Sequence, residues 1–158
     1  MSTATPATQF LSRAGIDFRV LEYRYEPGSE RVAIQAAEAI GLPPGQLLKT
    51  LMVEVDGRPG CCVLPGDRSL SMKRVAQALG GKSAAMMEPA KAERLTGYRT
   101  GGISPFGQRR AVPVVFERAG MDHAEVAINA GKRGMMLLLA PGDAVTALAA
   151  AVADLCAD

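Results

Sequence analysis

A lysine stands alone in an apolar run, Gln46-Leu47-Leu48-Lys49-Thr50-Leu51-Met52. An unpaired ammonium is costly to bury, so Lys49 must face solvent or a polar cleft. A second stretch, Gly101-Gly102-Ile103-Ser104-Pro105-Phe106-Gly107, spaces its glycines so that backbone N–H groups can converge on an anion or a developing oxyanion. A third, Gly131-Lys132-Arg133-Gly134, puts two cations on a tight turn, and Gln108-Arg109-Arg110 adds two more. Four cations beside two glycine loops suit phosphates. An exposed strand lysine, an ordinary surface loop and a solvated basic face remain open readings of the same residues.

Most other chemistry is excluded by inventory. His123 is the one histidine, and it lies in a turn-like Gly120-Met121-Asp122-His123-Ala124. Any Ser–His–Asp or Cys–His arrangement would have to use it. No set of His, Cys and carboxylates has zinc-ligand spacing, so no metal is expected. P-loop and dinucleotide fingerprints are absent from the sequence, and no cofactor is expected. Cys61, Cys62 and Cys156 are odd in number and form no C-x-x-C. Alternation in an apolar strand would turn one of Cys61 and Cys62 inward and the other outward, as inert thiols.

These residues need a scaffold, and 158 residues suffice for a single domain spanning 1–158. Hydrophobic residues are 48% and charged residues 22%, which argues against disorder. Aromatics are only 4% and Trp is absent, so a multi-aromatic stacking platform for single-stranded nucleic acid is not expected. The net charge of +2 is uneven: residues 61–135 hold 12 basic and 6 acidic side chains, which suits a polyanionic partner. The first residues lack the pattern of a secretory signal, and no apolar run approaches the roughly 20 residues of a membrane span. A reduced, cytoplasmic setting is the expectation.

Local signals divide the chain into alternating elements. Thr5 caps a helix with Pro6 at its first position, and Gly15 stops it. Residues 18–25 alternate as a strand. Pro27-Gly28 turns the chain, and Ser29 caps a helix running to Ile40 and stopped by Gly41. Residues 47–55 and 60–64 read as strands around Asp56-Gly57-Arg58-Pro59, with Pro59 loosening the turn beyond two residues. Ser71 caps a helix to Leu79. A strand at 84–87, a helix at 89–95 and a glycine-rich loop at 97–107 follow. Strands are expected at 112–117, 125–129 and 135–139, and a terminal helix at 142–155. Hairpins as well as helices between strands point to α+β with a mixed sheet.

Leu48-Lys49-Thr50-Leu51, the Gly101 to Gln108 stretch and Gly131-Lys132-Arg133-Gly134, in this order, resemble the signatures of the YbaK/EbsC family. That family is related to the editing domain inserted in bacterial prolyl-tRNA synthetases. The likeness runs through nearly the whole chain. It implies a mixed, barrel-like sheet surrounded by helices, and aminoacyl-tRNA deacylation in trans, cysteine on the proline tRNA foremost. A non-catalytic tRNA- or nucleotide-binding module of the same fold is the alternative. The resemblance assigns catalysis to Lys49, Gly101, Gly102, Ile103 and Ser104. It assigns substrate binding to Tyr23, Val32, Thr50, Pro105, Asn129, Gly131, Lys132, Arg133 and Met136. Two positions depart from the family: Met136 where an aspartate is usual, and Val32 where a phenylalanine is usual. The implied mechanism needs no protein nucleophile, because a cysteinyl thiol can attack its own ester carbonyl. The implied partners are the acceptor end of a mischarged tRNA and, as a candidate, prolyl-tRNA synthetase; a monomer or weak homodimer is expected.

Overall fold

The structure, a computed structural model, describes residues 4–26 and 32–158. The expected Pro27-Gly28 turn and Ser29 cap lie outside the described residues. The chain runs α1 (Pro6–Arg13), β1 (Arg19–Glu22), α2 (Val32–Ile40), β2 (Leu47–Val55), β3 (Arg58–Pro65), α3 (Met72–Ala78), β4 (Ala84–Met86), α4 (Pro89–Thr96), β5 (Val114–Glu117), β6 (Val126–Asn129), β7 (Met135–Leu139), α5 (Pro141–Leu148) and β8 (Ala151–Ala153). The caps act as the sequence suggests. The Thr5 hydroxyl accepts from the Thr8 N–H and Thr8 reciprocates, a capping box; Ser71 accepts from the Arg74 N–H.

The strands form one mixed sheet in the order β1-β7-β6-β2-β3-β5-β8, with β4 also pairing to β2. The β2–β6, β3–β5 and β5–β8 pairs are parallel and the others antiparallel. Among the described residues five α-helices accompany the sheet, so the mixed-sheet α+β expectation holds. β1 and β8 end the order, and no strand pairing joins them among the described residues.

Apolar side chains pack on both faces of the sheet. Leu48, Met52, Cys61, Val63, Phe116 and Ile128 belong to the largest cluster. Val53, Val55, Cys62 and Val115 pack instead with Val75 and Ala76 of α3. Cys61 and Cys62 are therefore both fully buried, which corrects the expectation that one of them faces outward. A strand covered on both faces has no outward side, so alternation carries no exposure signal there.

Two other expectations change. The β2–β3 turn is a tight two-residue one: Val55 pairs with Arg58, and Asp56 and Gly57 both have positive φ. Pro59 does not loosen it. Pro59 pairs with Glu54, one place beyond the closing pair, and shares its parity with Cys61, whose N–H points away from β2 to the Pro113 carbonyl (2.9 Å). The missing proline N–H is thus on the side where β2 needs no donor. The terminal helix ends at Leu148, not Leu155. Ala149 turns left-handed (φ 50°) and the chain becomes β8, which covers the edge of β5. The fully buried Leu155 and the carboxylate of Glu117 fix that ending. Glu117 accepts from the N–H groups of Leu155 (2.9 Å) and Cys156 (3.0 Å), donors that a helix through 155 would have spent internally.

Candidate active site

β2 is paired unevenly. Its β3 edge is bonded along its length, from Leu48 to Val55. On the other edge, Leu47 and Leu48 pair with β6 and Val53 to Val55 pair with β4. Residues 49–52 lie between, without a strand partner on that side among the described residues. The Met87 N–H closes the far end of the gap on the Met52 carbonyl (3.0 Å). A cleft of about 540 Å³ opens at this gap. An edge that lacks a neighbour leaves side chains from both faces of a strand accessible from one side, so Lys49 and Thr50 both line the cleft despite opposite parity.

Lys49 is half-buried, and its Nζ donates to the Gly66 carbonyl (3.2 Å). Burial holds its ammonium below the usual lysine range; nearby Cys156 and Asp67 partly oppose that shift. Thr50 is 8% exposed, and its Oγ1 is buried without a hydrogen-bond partner among the described residues. A buried hydroxyl left unpaired is a cost that a bound ligand can relieve. Tyr23, Val32, Asn129, Gly101 and Ile103 join Lys49 and Thr50 on the cleft wall. Burial also lifts the Tyr23 phenol above its usual range.

The glycine loop divides in two. Gly101 (φ 92°) and Ile103 face the cleft, and their N–H groups have no hydrogen-bond partner among the described residues. The Gly102 N–H is already spent on the Arg99 carbonyl (2.9 Å), so it is not free to receive an oxyanion as expected. Ser104 is fully buried; its Oγ accepts from the Phe106 N–H (3.2 Å) and its carbonyl accepts from Gln108 Nε2 (3.0 Å). Ser104 and the buried Pro105 shape the loop and do not line the cleft.

The Gly131 to Gly134 turn packs behind this loop. A Cβ on Gly102 would come within 2.9 Å of the Arg133 nitrogen, and one on Gly131 within 2.6 Å of the Tyr98 ring. Those approaches are what the two glycines permit. Lys132 and Arg133 are exposed beside it, off the cleft wall. The four expected cations are not one cluster. Arg109 lies against Gly97 at the end of α4, while Arg110 sits with Arg58 and Pro59 near the β2–β3 turn. Met136 is fully buried among Ala36, Ala37, Leu47 and Leu138 and does not reach the cleft. His123 and the three cysteines are likewise absent from its lining. Burial pushes the Cys62 and Cys156 thiols up to about 12 and Cys61 higher still, so none is a ready nucleophile.

Sequence reasoning missed Asp67, Arg68, Ser69, Met86 and Met87, which also line the cleft. Met86 is 49% exposed, an apolar side chain at the cleft. Nothing in their local sequence marks them; the pairing of β2 with the ends of β3 and β4 brings them together.

A family model for the aminoacyl-tRNA editing domain matches residues 29–147. The chain belongs to that family. As the sequence signatures implied, it falls with the aminoacyl-tRNA deacylases, and the match includes every cleft residue named above except Tyr23. The editing domain is 33% identical over 123 residues to a protein of Enterococcus faecalis named as a Cys-tRNA(Pro)/Cys-tRNA(Cys) deacylase, EbsC. That likeness covers 76% of this chain and 74% of EbsC. It is 30% identical over 104 residues to a proline–tRNA ligase of Acidithiobacillus ferrooxidans, covering 66% of this chain but only 18% of the ligase. A crystal structure described as a trans-editing enzyme for prolyl tRNA synthetase superposes with a TM-score of 0.87 at 24% identity. It covers 100% of this chain and 99% of that one, and at that identity it speaks for the fold.

Proposed function

We propose that this editing domain removes a mischarged small amino acid, cysteine foremost, from the acceptor end of the proline tRNA. The observation that carries the reading is the gap in β2. It puts one half-buried ammonium, one unpartnered hydroxyl and two free loop amides around a single cleft whose described lining has no histidine or cysteine. Such a site can hold and polarise an ester, and the nucleophile comes from the substrate.

Lys49 orients the terminal ribose and phosphate by charge. The thiol sulfur of the cysteinyl ester attacks its own carbonyl carbon. The carbonyl π electrons move onto oxygen, where the Gly101 and Ile103 N–H groups receive the charge. Collapse expels the ribose oxygen, which takes up the proton lost by the thiol. The products are cysteine thiolactone and a tRNA with a free terminal hydroxyl; water then opens the thiolactone. Holding the thiol and carbonyl in near-attack geometry is the main task left to the protein. Prolyl-tRNA synthetase, as the source of the mischarged tRNA, is the candidate partner. Met136, which stands where the family has a carboxylate, has no contact with the cleft through which to alter selection.

Deacylation of cysteinyl-, seryl- and alanyl-tRNA(Pro) tests the reading. Cysteinyl ester should be cleaved well above background, with seryl ester slower because a hydroxyl is the weaker nucleophile. Equal cysteinyl and seryl rates would contradict substrate assistance. No cleavage of any of the three would leave a tRNA-binding module without activity.

A further inference from the structure

Thr100 precedes the cleft-facing glycine and is gripped at both of its backbone polar groups. Its N–H donates to Glu93 Oε2 of α4 (2.8 Å), and its carbonyl accepts from Arg133 Nε (2.9 Å). The Arg133 guanidinium in turn lies over the Tyr25 ring, 5.2 Å from its centroid, a cation–π contact. Tyr25 Oη presses on the same loop: a Cβ at Gly101 would meet it at 2.8 Å. Side chains from three separate segments therefore converge on Thr100 and the peptide unit that follows it.

That unit joins the Thr100 carbonyl to the Gly101 N–H. No described peptide bond is cis, so the two groups lie in one plane and point in opposite directions. Bonding the carbonyl to Arg133 fixes the direction of the amide. Without that bond the unit could turn easily, because glycine at 101 places little restraint on the adjoining dihedrals. We propose that Arg133 is a positioning residue: through the Thr100 carbonyl it holds the Gly101 amide in the cleft, and it is not primarily a phosphate contact. Glu93 holds the other side of Thr100. Its carboxyl sits below the usual range, the Thr100 N–H being the main cause, with Arg133 and Arg99 adding to it. The catalytic consequence rests on the editing-site reading above; the clamp itself does not.

The experiment combines a structural and a kinetic readout on Arg133→Ala, Arg133→Lys and Glu93→Gln, with circular dichroism as the folding control. In 15N–1H spectra of the free protein, the Thr100 and Gly101 amide resonances should move in all three variants. With cysteinyl-tRNA(Pro), the saturating single-turnover rate should fall at least tenfold in Arg133→Ala. Its tRNA affinity and the salt dependence of binding should stay near wild type. Arg133→Lys should not restore the rate, because an ammonium lacks the planar fork that bonds Thr100 while stacking on Tyr25. Unmoved Thr100 and Gly101 resonances would overturn the clamp, whether or not the wild-type protein cleaves any ester. So would an unchanged saturating rate with weaker, less salt-sensitive tRNA binding, which is the signature of a phosphate contact. Failure of wild-type cleavage alone would count against the editing reading, and the resonances would still decide the clamp.

Discussion

Two polar regions flank β2 and β5, and they are treated in opposite ways. Glu117, at the end of β5, is 3% exposed, and both its oxygens are used: Oε1 by the Leu155 and Cys156 N–H groups, Oε2 by the Ala119 N–H (2.8 Å). Burial works to raise its pKa, but the three donors outweigh it and hold the carboxyl below the usual range. In the cleft, Lys49 has one long bond to a carbonyl and the Thr50 hydroxyl has none. A polar group that is taken inside and fully satisfied is an anchor for the chain. Polar groups taken partly inside and left under-satisfied mark a place where something else completes them.

Substitutions can break that contrast. The largest effect is expected at Lys49. Lys49→Ala should lower single-turnover deacylation by about a hundredfold or more, the scale of misplacing the reacting end in the site. Its unfolding free energy should change by no more than about 0.5 kcal/mol, since one half-exposed bond is lost. Activity above background should also fall as pH rises through a value below the ordinary lysine 10.5, because burial makes the ammonium lose its proton early. A folded, fully active Lys49→Ala protein would erase the functional half of the comparison.

Glu117→Gln should behave in the reverse way. One amide group would face donors, and stability at neutral pH should drop by about 1–3 kcal/mol. The sign of the pH dependence follows from the depressed pKa. The stabilisation is present above the unfolded glutamate value of about 4.3 and is lost as pH falls through the lower folded value. Urea melts of both proteins should therefore converge in acid. A gap that stays constant to low pH would show that the carboxylate charge is not what anchors the C-terminal segment.

Thr50→Val sharpens the comparison within the cleft itself. Removing an unpartnered hydroxyl should leave stability unchanged or slightly raised, while deacylation falls about tenfold through loss of a contact to the ester. A destabilisation above about 1 kcal/mol would mean that the hydroxyl is already satisfied in the free protein. The smallest effect is expected at Lys132, an exposed cation on the turn behind the loop. Lys132→Ala should reduce the slope of log affinity against log salt by about 0.7–0.9, the contribution of one phosphate. An unchanged slope would make it a solvated side chain.

Much of this arrangement was legible in the sequence, and the reasons it was or was not are local. Thr5, Pro6, Gly15 and Ser71 mark helix ends through chemistry confined to neighbouring residues, and these ends fall where expected. Lys49 stood out because an ammonium inside an apolar strand needs an explanation. What could not be read is what depends on remote pairing. Residues 149–155 have an alanine-rich helical pattern, yet the open edge of β5 and the buried Glu117 draw them into a strand and an anchored tail. The turn at Asp56-Gly57 was obscured by Pro59, whose harmless orientation is set by the register of β3 against β2 and β5. Asp67, Arg68 and Met86 carry no local mark at all; they reach the cleft because the pairings of β2 with β3 and β4 set the ends of those strands beside Leu48 and Val53. The Gly102 amide looked available from glycine spacing alone, and the turn to Arg99 shows that it is not.

The most direct test of the central claim is a 15N–1H titration of the wild-type protein with a non-cleavable mimic of the reacting end, cysteine joined through an amide to the 3′ position of adenosine. The account predicts that the Lys49, Thr50, Gly101 and Ile103 amides shift in a saturable way, while those of Ala119 and Leu155 around Glu117 stay fixed. Saturable binding that leaves the four cleft amides unmoved would contradict it.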